Sequence, residues 1–167
     1  LTRSRGLGDV YKRQGYNALL RQLSDQIQDP FLSAIIVGKY HRAMELKTEL
    51  ALDPESWMSN IGHSSRSEKI VTILGNLLEN ALEASASSGE QKKVCLSMTD
   101  VGNELIFEVE DSGSGISEDQ QKSIFDEGFT TKTGTGRGIG LQLVQKNLIQ
   151  LEGCLLYTSP SPRDRVR

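Results

Sequence analysis

Apolar residues recur at two different periods along this 167-residue chain, and the change of period divides it into helical and extended stretches. Between Gly15 and Gln28, Leu19, Leu23 and Ile27 fall on one helical face, with Tyr16 and Leu20 beside them. Asp29-Pro30 interrupts the stripe and can open a second helix, because proline suits the first helical position. Leu32, Ile35, Ile36, Ala43 and Leu46 continue it to about Lys47. This pair of helices reads either as core or as an arm that packs on a partner, and periodicity allows both. "TELAL" (Thr48–Leu52) has the length of a short strand, and Asp53–Arg66, with Pro54 and Gly62, reads as loop. Ser65 and Glu68 stand at capping-box spacing. The helix predicted over 67–86 places Ile70, Ile73, Leu74, Leu77, Leu78 and Ala81 on its buried stripe.

After the small, polar stretch Ser85–Glu90 the period falls to two. Val94, Leu96 and Met98 alternate with Cys95, Ser97 and Thr99, and Leu105, Phe107 and Val109 alternate with Ile106, Glu108 and Glu110. Val101-Gly102-Asn103 is turn material between them, so the two strands are expected to be antiparallel. Ser112–Arg137 is long and rich in Gly, Ser and Thr, with a short helix expected near Glu118–Phe125. A loop of that length inside a domain is characteristically a functional lid or a disordered segment. A final helix is predicted over Gly138–Leu151. No internal repeat is visible.

The two ends read differently from the middle. One back-translation of Cys154–Asp164, "CLLYTSPSPRD", has a reverse complement that encodes Ser4–Gln14, "SRGLGDVYKRQ", after a one-base shift and one added G. The shared oligonucleotide resembles a transposon-type sequencing adapter. Residues 1–14 and 154–167 are therefore expected to be adapter-like and non-native, with two ordinary loops as the alternative. Gly15–Gly153 is then the natural fragment, truncated at both ends. Removing net charges of +3 and +2 at the ends turns the −3 of the whole chain into −8. Such an acidic domain is a poor non-specific partner for nucleic acid. Cys95 is the one cysteine of that fragment, which makes neither a disulfide framework nor a zinc site. Its apolar neighbours suggest a small core residue. No run of about 18 apolar residues occurs, and no apolar stretch follows the basic first residues, so neither a membrane span nor a signal peptide is expected.

Three groups of residues carry candidate chemistry. Thr72, Asn76 and Asn80 stand at i, i+4, i+8 and share one face of the 67–86 helix. Asparagine is a poor helix former, and its amide offers an oxygen to a hard cation and donors to a phosphate; a solvated polar face is the plainer reading. In "VEDSGSGIS" (Val109–Ser117), Asp111 has the parity of Leu105, Phe107 and Val109, so its carboxylate is expected to point inward at the strand end. A carboxylate taken from water needs a donor, and an exocyclic amine would serve. Gly113 and Gly115 allow close approach there, or simply make an Asp-Ser-Gly turn. Finally, "TTKTGTGRGIGLQLVQ" (Thr130–Gln145) spends Gly134, Gly136, Gly138 and Gly140 at the mouth of a helix, where free N–H groups can hold phosphate oxygens. Lys132 and Arg137 are the nearby cations. Two cations are few for a triphosphate on an acidic domain, which favours a bound Mg²⁺. No P-loop, G-x-G-x-x-G or eukaryotic-type kinase signature is present.

Taken in order, these groups resemble the nucleotide-binding domain of bacterial sensor histidine kinases. "NLLENALEA" (Asn76–Ala84) is similar to the N box, "DSGSGI" (Asp111–Ile116) to the G1 box, "IFDEGFTTK" (Ile124–Lys132) to the F box and "GTGRGIGL" (Gly134–Leu141) to the G2 box. With "GKYHRAMEL" ahead of them, they are most similar to the citrate/C4-dicarboxylate sensor kinase group, and the resemblance covers essentially all of Gly15–Gly153. It implies an α+β fold of the Bergerat (GHKL) type: a two-layer α/β sandwich, a mixed sheet with helices on one face. Residues 15–47 would be the C-terminal part of a helical dimerisation and phosphotransfer domain, and 48–153 the ATP-binding catalytic domain without its last strands.

By the same resemblance the ligands are ATP and Mg²⁺. Asn80 would bind the metal, Asn76 the phosphates, and Asp111 the adenine amino group. Gly113, Gly115 and Ile116 would shape the base pocket, and Phe125 and Phe129 would anchor a lid. Thr131, Lys132, Gly134, Gly136, Arg137, Gly138, Gly140 and Leu141 would border the triphosphate. The implied partners are a histidine-bearing dimerisation domain and a response regulator receiver domain, within a full-length homodimer. The implied location is cytoplasmic, as part of an inner-membrane sensor. Two departures stand out: His41 and His63 do not sit where the acceptor histidine belongs, and the closing strands should follow Gly153, where "CLLYTS" could imitate only the first. Two alternatives share the superfold. One is an ATPase with Glu79 or Glu83 as catalytic glutamate, and the other an anti-sigma-type protein serine kinase.

Overall fold

The computed structural model describes residues 2–89, 91–123 and 139–157. In chain order the elements are α1 (Thr2–Gln26), α2 (Pro30–Glu45), β1 (Glu49–Leu52), α3 (Ser65–Ala86), β2 (Lys93–Val101), β3 (Glu104–Asp111), α4 (Glu118–Ser123) and α5 (Gly140–Gln150). The α+β expectation holds: helices lie with a mixed three-stranded sheet of order β1-β2-β3. β1 and β2 are parallel, pairing Leu50 with Val94 and Leu52 with Leu96. A parallel step needs a crossover, and α3 supplies it. β2 and β3 are antiparallel, with Leu96 opposite Val109 and Met98 opposite Phe107.

Alternation decides which face of the sheet is covered. Val94, Leu96 and Met98 are fully buried, and Leu50 and Leu52 join them from β1. On the partner strand Leu105, Phe107 and Val109 pack on the same core but stay half-buried, while Ile106, Glu108 and Glu110 face out. Cys95 belongs to the outward set, so it is not the core residue expected from its apolar neighbours: those neighbours are on the other face. Burial raises its thiol pKa, and Asp53 and Glu110 nearby push it the same way.

The arm helices resolve as core. Leu19 and Leu23 of α1, Ile27 just after it, and Leu32, Ile36 and Ala43 of α2 share one cluster with Leu74, Leu78 and Met98. α1 continues without a break from Thr2 through the residues set aside as adapter-like. Asp29 makes the corner between the helices. Its Oδ1 accepts from the amides of Phe31 and Leu32, both at 2.9 Å, and its Oδ2 accepts from Ile61 at 3.1 Å. The carboxylate is buried with acceptors that are used, which is the condition for burying it at all. Pro30 follows at the first helical position, as the Asp-Pro pattern predicts. The loop after β1 stitches arm to sheet: Gln28 N–H donates to Met58 C=O (2.8 Å) and Trp57 N–H to Met98 C=O (2.9 Å).

The cap of α3 differs from the sequence expectation. Ser64 is the N-cap, and it exchanges hydrogen bonds with Ser67 rather than Ser65 with Glu68. A serine hydroxyl can play the part usually given to glutamate because it reaches the N-cap amide directly, at 2.9 Å. The buried stripe also narrows. Ile70, Leu74, Leu78 and Ala81 are buried with Leu82 and Ser85, while Ile73 and Leu77 are half-buried. Ser85, expected in a loop, closes the last turn of α3. Residues 153–157 form no strand.

Candidate nucleotide site

Three stretches converge along α3. In the ridge Thr72–Asn76–Asn80, Thr72 Oγ1 donates to Glu68 C=O (2.9 Å) and Asn76 Nδ2 donates to Thr72 C=O (2.8 Å). Spending one of its two N–H groups on its own helix gives the Asn76 amide a fixed direction and leaves the other N–H to donate. Its Oδ1 lies 2.8 Å from where a Cβ on Gly140 would stand. Both asparagines are half-buried, so the ridge is not the solvated face that the plainer reading allows. It looks onto the first residue of α5. That helix starts at Gly140 with Ile139 as N-cap, and among the described residues no side chain caps its first amides, an arrangement suited to an anion. Leu141 is half-buried behind Gly140, and Val144 is buried one turn on.

The end of β3 approaches α3 from the other flank. Asp111 stands opposite Val94, so it keeps the inward parity. It is nevertheless exposed, because no described residue covers this end of the sheet, and the buried carboxylate expected from the sequence is corrected to a partly solvated one. Its Oδ1 accepts from the Gly113 amide at 2.8 Å. A Cβ on Gly113 would come within 2.9 Å of Ala84 Cβ and 3.2 Å of its carbonyl carbon, so only glycine lets this turn lie on α3. Gly115 has φ +79°, in the left-handed region that glycine enters without strain. Ile116 follows, half-buried, and its C=O accepts from Gln121 Nε2 of α4 (3.2 Å).

Sequence reasoning missed the residues that hold this corner. Ser85 Oγ, fully buried, donates to Lys93 C=O (3.1 Å) and accepts from Ser112 N–H (3.1 Å). Ser112 Oγ accepts from Lys93 N–H (3.0 Å). Two serines therefore tie the end of α3, the start of β2 and the turn after β3 together. The one available signal was that Ser85 continues the Leu78–Ala81–Leu82 stripe. On the opposite flank of α3, Lys39 Nζ and Arg42 Nε take one oxygen each of Glu79, at 2.6 and 2.9 Å. Burial alone would raise the Glu79 pKa, but the hydrogen bonds from Lys39 and Arg42 outweigh it and hold the carboxyl below its ordinary value.

The structure thus brings together Asn76 and Gly140, and places Asp111 with Gly113 at the far end of the same helix. Phe125, Phe129, Thr131, Lys132, Gly134, Gly136, Arg137 and Gly138 lie outside the described residues, as does the expected end of α4 at Phe125.

Residues 65–166 match the family described as histidine kinase-, DNA gyrase B-, and HSP90-like ATPase. The chain belongs to this ATPase family. It is 46% identical over 132 residues to "Sensor protein CitS" of Halalkalibacterium halodurans, covering 78% of this chain and 24% of that protein. It is 32% identical to "Sensor histidine kinase CitA" of Klebsiella pneumoniae, over 89% of this chain and 27% of that one. For "Sensor histidine kinase DcuS" of Escherichia coli (strain K12) the identity is 35%, over 86% and 26%. The chain therefore spans about a quarter of the length of these relatives. The solved catalytic domain of histidine kinase ThkA, in a nucleotide-free form, superposes with a TM-score of 0.56 at 26% identity, over 71% of this chain and 77% of that one. As an ATPase-family domain, the protein has its helices and its mixed sheet in keeping with this solved neighbour. Among the described residues no helix is long and apolar enough to cross a membrane.

Proposed function

We propose that this ATPase-family chain is the ATP-binding catalytic part of a sensor histidine kinase of the citrate/C4-dicarboxylate group. It transfers the γ-phosphoryl group of ATP to a histidine on a helical dimerisation domain. The observation that carries the reading is the juxtaposition of the Asn76 amide with the N-terminus of α5 at Gly140. Phosphate oxygens at that helix end would meet backbone N–H groups and the Asn76–Asn80 ridge together. Asp111, partly solvated and already oriented by Gly113 N–H, accepts a hydrogen bond from the adenine amino group.

The donor chemistry fits Mg²⁺ held jointly with phosphate. Among the described residues no cluster of three His, Cys, Asp or Glu could hold a metal on its own. The ridge offers the neutral amide oxygen of Asn80, and Mg²⁺ characteristically takes few protein ligands and completes its shell with phosphates and water. When bound, the ion neutralises charge between the phosphates. The protein's own part is to orient the chain of phosphates so that an imidazole nitrogen can attack the γ-phosphorus in line, forming a P–N bond as the P–O bond to ADP breaks.

Hydrolysis by a glutamate on α3 is disfavoured by the ion pairs of that helix. Both oxygens of Glu79 are engaged by cations of α2, and Arg42 Nη2 also reaches to 4.0 Å from Glu83. A carboxylate with a lowered pKa and two cationic partners is a weak general base. Incubation with γ-³²P-ATP and a supplied histidine-bearing dimerisation domain separates the readings. Acid-labile label on that domain supports the kinase; acid-stable label or free phosphate alone overturns it in favour of a serine kinase or an ATPase. The location of the parent protein and its response regulator follow from the same proposal: the catalytic part works in the cytoplasm, and the phosphohistidine it forms on the dimerisation domain passes the phosphoryl group on to a receiver domain.

A further inference from the structure

Four sides of α3 are used by four different parts of the molecule. At about 100° per residue, Leu74, Leu78 and Leu82 make the core side, and Gly75, Glu79 and Glu83 fall next around the helix. Thr72, Asn76 and Asn80 follow, and then Ala84, on which Gly113 rests. The second of these sides is a seam with α2. Gly75 sits against Ile35, whose Cδ1 is 3.4 Å from a Cβ built at Gly75. One turn further on, Lys39 and Arg42 hold Glu79 with one nitrogen on each oxygen, and Arg42 also touches Glu45 (3.1 Å). The contact is built from positions 35, 39 and 42 of one helix against 75, 79 and 83 of the other. It therefore runs along both axes rather than crossing at a point.

We infer that Lys39 and Arg42 are positioning residues for the nucleotide site: by gripping both oxygens of Glu79 they fix the roll of α3, and with it the direction of the Asn76–Asn80 ridge. The inference rests on the nucleotide reading above and adds the arm to it. The core side sets how deep α3 lies, but Leu, Ile and Ala contacts are non-directional. A two-point charged grip is directional, and it stands on the flank next to the ridge. Lys39 is mostly covered, with 18% of its side chain exposed, so solvent does not fully screen the pair. Because α2 follows α1 through the buried Asp29 corner, a displacement of the arm reaches Asn76 and Asn80 through this grip.

The test is titration calorimetry of the whole chain with Mg·AMP-PNP, alongside thermal unfolding. In K39M–R42M and in E79Q, affinity is expected to fall about tenfold, within the range of coupling between contacting residues. In K39R–R42K, which keeps both cations, it is expected to stay within about threefold of wild type, because the charges that hold Glu79 remain. Affinity in K39M–R42M within twofold of wild type, with a lowered unfolding temperature, would make the pair a plain staple and overturn the inference. Equal losses in K39R–R42K and K39M–R42M would also overturn it, because side-chain shape rather than charge would then be responsible. A wild-type chain that binds no nucleotide would overturn the site itself, and is recognised by failing before any variant is compared.

Discussion

Gly140→Ala separates stability from function at a single atom. A methyl group in the first turn of α5 favours the helix by about 0.4–1 kcal/mol, since alanine has less backbone freedom to lose than glycine. The same methyl would stand 2.8 Å from Asn76 Oδ1 and 3.6 Å from its Cγ. Asn76 must then turn away, which breaks its 2.8 Å bond to Thr72 C=O at a net cost of about 0.5–1.5 kcal/mol. The two effects nearly cancel, so the unfolding temperature is expected to move by no more than about 4 °C in a chain of this size. Binding has no such compensation. If Asn76 contacts a charged phosphate, losing that contact costs about 1.5–3 kcal/mol, or roughly 10- to 150-fold in Kd. Calorimetry with Mg·AMP-PNP and a thermal melt of the same sample measure both quantities. A variant more stable by about 1 kcal/mol with unchanged Kd would refute the reasoning, since it would mean that Asn76 is free to move and holds nothing.

Asp29→Ala removes a helix cap and strands the half-buried Ile61 amide, and should cost about 2–4 kcal/mol in chemical denaturation; Asp29→Asn, which keeps an acceptor for the cap, should cost about half. Glu79 has its folded pKa lowered, so its contribution is complete above the pKa of the unfolded chain and is lost as pH falls through the folded value. Wild type should therefore lose its stability margin over Glu79→Gln on acidification below about pH 5, the upper end of the carboxylate range, as read from paired melts; a margin independent of pH would contradict the ion pairs. The Cys95 thiol is raised by burial and by Asp53 and Glu110, so iodoacetamide at neutral pH should label it more slowly than the exposed Cys154, with peptide mass spectrometry as the readout.

What the sequence made legible follows from how local each rule is. Alternation in Val94–Met98 and Leu105–Val109 reads directly as a covered face, because a period of two leaves one register. It also gave Asp111 the correct side, but parity says nothing of how far the cover extends, and at this end of the sheet the carboxylate stays in water. Apolar sequence neighbours suggest a core site for Cys95, but the alternation itself points it outward. The cap made by Ser64 and Ser67 departs from the expected Ser65–Glu68 spacing because the serine pair itself satisfies the N-terminal amides. The grip on Glu79 joins residues 40 and 37 positions apart, and the Ser85–Ser112 tie spans 27. No periodicity encodes such distances. The juxtaposition of Asn76 and Gly140 was reachable only through the order of four short boxes, and the structure adds what the boxes lack: a direction for the Asn76 amide.

Asp111→Asn tests the central claim most directly. The new amide oxygen can still accept from Gly113 N–H, so the turn on α3 is kept, while its NH₂ faces the adenine amino group donor to donor. Calorimetry with Mg·AMP-PNP should show Kd raised about 10- to 100-fold, the range expected on losing a hydrogen bond to a charged acceptor, with the unfolding temperature unchanged. The same Kd in wild type and variant would contradict an adenine nucleotide bound between Asp111, the Asn76–Asn80 ridge and the start of α5.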